Sequence, residues 1–136
     1  DVKILLLSVV YMRAKWENIF VEELTEKENF HSKDDTKKVD MMYLKTELPY
    51  VESFSLKSQV ISLAYEYSSL TFLVFLPNAT AGQTVDQLIS SLSRDEIKNT
   101  VDSMNFQEVA VRLPKFKIEN EIDLIPMLEV LGVKDV

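Results

Sequence analysis

The sequence predicts an α+β fold, made mainly of antiparallel sheet with three short amphipathic helices. Three observations carry that expectation. Residues 60–65 and 70–76 are β-branched and aromatic runs of strand length on either side of Ser68 and Ser69, which reads as a hairpin. Thr84 with Gln87, and Ser93 with Glu96, place a hydroxyl three residues before an amide or carboxylate, the pattern that satisfies free amides at a helix start. Val109, Val111 and Leu113 alternate with Glu108, Ala110 and Arg112, the period of a half-buried strand.

Taken in order, residues 4–12 are almost continuously apolar and partly β-branched, which suits a central strand covered on both faces. The acidic stretch that follows, with Glu17, Glu22, Glu23, Glu26 and Glu28, reads as a loop with a short strand ending at Phe30 and His31. Residues 39–44 and 48–54 read as two short strands separated by Lys45, Thr46 and Glu47, each too brief to stand without a larger sheet.

Pro77 and Asn78 close the hairpin, and two helices follow. Val85, Leu88, Ile89 and Leu92 form one stripe of the first, and Ile97, Val101 and Met104 continue such a stripe on the second. Pro114 marks a kink or a change of sheet, because it cannot donate to a ladder, and Phe116 and Ile118 then resume the alternation. Asp123 caps a third helix with Leu124, Leu128 and Leu131 on one face and Gly132 as its stop.

At 136 residues and 46% hydrophobic the chain has the size and apolar content of one domain, or one piece of one. A net charge of −7 argues against nucleic acid and anionic membrane as partners, since both attract basic surfaces. With no cysteine, disulfides, thiolate catalysis and cysteine-based zinc sites are excluded. The apolar run at residues 4–10 falls far short of the roughly 20 residues that span a bilayer. Asp1 and Val2 lead directly into that run with no charged leader, as expected of a processed protein or a fragment.

His31 is the single histidine, so no two-histidine mechanism or histidine-rich metal site can be built, and a surface or strand-edge role is expected for it. No serine sits in a glycine-flanked elbow and no glycine-rich phosphate loop occurs. The acidic run lacks the alternating Asp and Gly of a calcium loop and reads as a solvated face. No cofactor, metal or catalytic residue is expected, and the chain is not read as an enzyme. Trp16 reads first as a packing residue, with a partner anchor as the other reading. Asn78-Ala79-Thr80 fits an N-glycosylation acceptor in an exposed loop after a strand.

Met12-Arg13-Ala14-Lys15-Trp16 and Leu113-Pro114-Lys115-Phe116-Lys117-Ile118 together resemble the serpin family of serine protease inhibitors. Residues 4–16 are similar to the third strand of that family's main sheet, which runs into a tryptophan at the top of the sheet. Thr25 and Phe30, then Val39-Asp40-Met41-Met42, look like its following strands. Residues 59–77 resemble its second-sheet hairpin, and residues 109–118 with the segment through Asp135 resemble its Leu-Pro-Lys-Phe strand and the next helix. Ser8 stands where the family favours Asn, Ala14 where it favours Gly, and Ala64 where it favours Pro.

The resemblance implies a partial serpin fold over residues 1–136, one incomplete domain lacking the N-terminal helices and the reactive loop. It implies a fragment or truncated form of an inhibitor whose reactive loop is cleaved by a serine protease and inserts beside the third strand. Ser8, Lys15 and Trp16 would border that insertion. A non-inhibitory serpin-like binding protein is the alternative. A serine protease is the implied partner, acting through the parent's reactive loop. The chain alone is expected to self-associate through exposed strand edges, foremost that of residues 4–12. An extracellular or secreted location is implied, with an intracellular serpin as the other reading.

Overall fold

The computed structural model describes residues 13–32 and 35–117. The chain divides into two compact units, and Ala14–Lys115 forms one of them. The other, Asp1–Arg13 with Phe116–Val136, lies almost wholly outside the described residues. The expected strand at residues 4–12, Ser8 within it, and the expected helix after Asp123 fall there.

Ala14–Lys115 is mixed α and β, mostly antiparallel sheet with two helices. The strands are β1 (Glu26–His31), β2 (Thr36–Ser53), β3 (Ser58–Ala64), β4 (Thr71–Pro77) and β5 (Asn105–Pro114), and α1 (Val85–Ser91) and α2 (Arg94–Asp102) lie between β4 and β5. A single turn of 3₁₀ helix, Glu22–Leu24, lies within the acidic stretch just before β1. The sheet runs β1-β2-β3-β4, with β5 also paired to β2.

β2 is the hub, and here the structure corrects the expectation of two short strands. It is one 18-residue strand, about 60 Å at the usual rise of ~3.3 Å per residue. Lys45, Thr46 and Glu47 do not break it, because β5 supplies partners throughout: Lys45 opposes Ala110, Thr46 opposes Val109 and Glu47 opposes Glu108. β2 changes partner along its length. Its start pairs with β1, residues 41–50 with β5, and residues 50–53 with β3. Tyr50 is the junction, opposite both Asn105 and Ile61.

The registers place one side of every strand on a common face. Leu44 and Leu48 of β2, Val111 and Leu113 of β5, and Ile61 and Leu63 of β3 form its buried cluster, with Met42, Tyr50, Phe72, Val74 and Val109 packed against it. Burial of six such side chains is the main source of cohesion, at about 1.5–3 kcal/mol each relative to exposure. β3 is buried on both sides, since Val60 and Ser62 on its other face are also sequestered.

The helices start as expected. Thr84 Oγ1 accepts from the Gln87 N–H at 3.2 Å and Gln87 Oε1 accepts from the Thr84 N–H at 3.0 Å, a complete reciprocal box. At α2 only half of the box forms. Ser93 Oγ accepts from the Glu96 N–H at 3.1 Å, while the Glu96 carboxylate accepts from the Ser55 hydroxyl and so ties α2 to the β2–β3 turn. The expected apolar stripe of α1 is covered less than its period suggests: Leu88 is buried, but Val85 and Ile89 are exposed among the described residues. β5 ends at Pro114 as the missing donor requires, and the next N–H, of Lys115, still reaches the Asp40 carbonyl at 2.8 Å.

Candidate functional site

Trp16 is brought to the sheet by its own backbone. Glu17 N–H donates to the Ala64 carbonyl at 2.9 Å and Glu66 N–H donates to the Lys15 carbonyl at 2.8 Å, so residues 15–17 run antiparallel to the end of β3, with Trp16 opposite Tyr65. The side chain of Tyr65 continues the face of Ile61 and Leu63. Its ring therefore meets Trp16 directly, stacked at 4.6 Å between centroids with 15° between planes. Phe72 of β4 lies tilted at 5.8 Å, and Phe20 stands edge-on at 6.4 Å. Trp16 and Phe20 also pack on the Leu44–Leu113 cluster.

Lys15, the other described residue of the expected insertion region, contributes its carbonyl to this attachment and keeps its side chain in solvent. The sequence pointed to Trp16 through its motif but not to Tyr65, Phe72 and Phe20 as its partners. The available signal was the odd-numbered alternation of Ile61, Leu63 and Tyr65, which places the tyrosine on the core face.

Elsewhere the charged groups pair across strands. Lys27 and Asp40, opposite each other on β1 and β2, approach to 2.8 Å, and Lys45 and Glu108 to 2.9 Å. The Lys27 hydrogen bond holds the Asp40 carboxyl below its ordinary range, and the Glu108 hydrogen bond raises the Lys45 ammonium above its own. Glu28, part of the acidic run read as a solvated face, is instead half-buried and bound to Arg112.

His31 ends β1 exposed, its Nδ1 2.9 Å from Thr36 Oγ1, the strand-edge position expected of it. An open groove of about 280 Å³ lies between the β2–β3 turn and α2, with Glu52, Ser55, Glu96 and Asn99 in its lining. Of its two carboxylates, that of Glu96 is taken by Ser55. Among the described residues no three metal-ligating side chains converge, and no helix is long and apolar enough to cross a membrane. Asn78 follows β4 directly and opens an exposed 3₁₀ turn, Ala79–Ala81.

Comparison with known proteins agrees with this arrangement. The family model described as serpin (serine protease inhibitor) matches residues 1–136. Bovine leukocyte elastase inhibitor is 34% identical over 139 residues, covering 98% of this chain and 37% of that protein. Antichymotrypsin-2 of Bombyx mori is 36% identical over 133 residues, covering 96% of this chain and 35% of the relative. Among solved structures, emu ovalbumin superposes with a TM-score of 0.79 at 28% identity, covering 88% of this chain and 31% of its own. The chain thus spans about a third of the length of the relatives it matches. The description of that family names inhibitors of serine proteases rather than enzymes. The motifs, the strand order and these matches place the chain in the serpin family.

Proposed function

We propose that these residues are a framework portion of a serpin-type inhibitor of serine proteases. In the whole protein a reactive loop is offered as substrate; the protease serine attacks its scissile carbonyl to form an acyl ester, the peptide C–N bond breaks, and the C-terminal side of the loop leaves as a free amine. The cleaved loop then inserts beside the strand expected at residues 4–12 before water can hydrolyse that ester. The observation that carries this reading is the family match over residues 1–136, with relatives named as elastase and chymotrypsin inhibitors.

The surroundings of Trp16 support it. A sheet that opens to admit a strand needs one end of the neighbouring strand held fast. The bonds of Glu17 to Ala64 and of Glu66 to Lys15, together with the stacking on Tyr65, give residues 15–17 such a hold at the end of β3. In this reading Ser8 and Lys15 border the insertion path and Trp16 packs where the loop enters.

The test is to incubate the natural protein with an elastase, a trypsin and a chymotrypsin and to separate the products under denaturing conditions. An inhibitor leaves a covalent complex of the protease with the acyl portion of the cut protein, lighter than the sum of the two by the released C-terminal peptide. Cleavage of the protein by all three with no such complex would reject inhibition and leave the binding-protein alternative.

A further inference from the structure

We propose that Asn78 carries an N-linked glycan, so that the protein is made through a secretory compartment. Asn78 is followed at the required spacing by Thr80 with Ala79 between, and no other asparagine in the chain has a hydroxyl residue two places on.

The local geometry presents the reacting atom. The N–H of Asn78 donates to the Lys57 carbonyl at 2.9 Å, and its own carbonyl accepts from Ala81 at 3.0 Å and Gln83 at 3.2 Å, so the backbone is held. Its side-chain oxygen accepts from the N–H groups of Thr80 at 3.0 Å and Ala81 at 3.2 Å. Both neighbours are donors, so the atom facing them must be Oδ1 and not the amide nitrogen. The side chain is thereby anchored through its oxygen. Nδ2 has no hydrogen-bond partner among the described residues.

The turn that follows it is exposed. Ala79, Thr80 and Ala81 are exposed, and nothing lies within 4 Å of where a Cβ on Gly82 would stand. Gly82 itself adopts φ +71°, the left-handed conformation that turns the chain from this loop toward α1. Asn78 itself is half-buried, and the three residues after it are exposed.

The modification balances with a lipid-pyrophosphate-linked oligosaccharide as donor. Nδ2 attacks the anomeric carbon of the first sugar and the N–C bond forms. The bond from that carbon to the pyrophosphate oxygen breaks, the lipid pyrophosphate leaves, and one amide proton is lost.

The natural protein, treated with an amide-cleaving glycosidase in heavy-oxygen water and digested with trypsin, is expected to yield the peptide containing Asn78 as labelled aspartate. Recovery of that peptide with unmodified Asn78 before glycosidase treatment would overturn the proposal. Two variants of the full-length protein, made through a secretory pathway, separate the sugar from the turn. Asn78→Asp keeps an oxygen to accept from Thr80 and Ala81 but lacks Nδ2, and Thr80→Ala keeps the backbone donor but lacks the hydroxyl. Both are expected to fold and to lose the glycosidase-sensitive mobility shift of the parent. A shift that persists in either variant, or that is absent from the parent, contradicts it.

Discussion

Arg112 Nη1 lies 2.8 Å from Glu28 Oε1 and 3.0 Å from Oε2, and its guanidinium carbon sits 5.9 Å from the centre of the Tyr43 ring. A side chain of β5 thus reaches β1 across the strand that pairs with both. One nitrogen serves both oxygens, so the contact uses charge more than the fork geometry of the guanidinium. Arg112→Lys should therefore retain most of the ion pair and lose the flat contact with Tyr43. A double-mutant cycle of Glu28→Gln with Arg112→Met is expected to give a coupling of about 0.5 kcal/mol, the scale of a partly exposed pair. That coupling should shrink in high salt, and a value unaffected by salt would argue against it.

The pH dependence of these strands has two edges. Asp40 is held low by Lys27, so its contribution is present above the ordinary Asp value and is lost as pH falls through its depressed folded value. Lys45 is held high by Glu108, and its contribution is present below the ordinary Lys value and disappears as pH rises through its raised folded value. Denaturant midpoints should therefore carry both contributions in full near neutrality, and neither pair should make them vary with pH there. Lys27→Met should flatten the acid limb alone, and Glu108→Gln the alkaline limb alone.

Removing the indole should release the attachment of residues 15–17. Trp16→Ala deletes a stacked partner of Tyr65 and part of the packing on the core, and is expected to cost about 3 kcal/mol, the low end for such truncations because Trp16 is only half-buried. Trp16→Phe keeps an aromatic ring on Tyr65 and should recover more than half of the loss. Chemical denaturation of the intact protein measures both, and equal losses for the two variants would mean that stacking contributes nothing.

We further propose that the 136-residue chain by itself self-associates through the outer edge of β4, on which no strand is paired among the described residues. Tyr65 N–H donates to the Leu70 carbonyl at 3.3 Å, and antiparallel pairs alternate in their bonding. Phe72, Val74 and Leu76 accordingly turn their main-chain groups to β3, while Thr71, Leu73 and Phe75 turn theirs outward. The strand carries no charged side chain to discourage pairing. Light scattering should show dimers or larger species, and Phe75→Pro, which removes an outward donor, should reduce them. A monodisperse monomer would contradict this.

Much of the fold was readable locally because its signals are local. The hairpin of β3 and β4, the Thr84 box and the alternation of β5 each reside within a dozen residues. β2 reads as two strands in the sequence because Lys45 and Glu47, both exposed, straddle the half-buried Thr46, and only β5, some 60 residues on, shows that the strand continues. The half-formed box at α2 has the same origin: Glu96 has the residue type for a reciprocal cap, but Ser55, 41 residues away, competes for it. The motif named Trp16, whereas its hold on Tyr65, Phe72 and Phe20 depends on sheet register. Arg112 with Glu28, 84 residues apart, leaves no trace in spacing at all.

The most direct test of the inhibitor reading is the thermal stability of the natural protein before and after its reactive loop is cut by a protease that it does not trap. Insertion of the cut loop beside residues 4–12 would add a hydrogen-bonded strand to the main sheet and relieve a metastable parent, so the cleaved form is expected to unfold at a clearly higher temperature than the intact one. Unfolding of both forms at the same temperature would show that this sheet does not open, and inhibition by insertion would have to be abandoned.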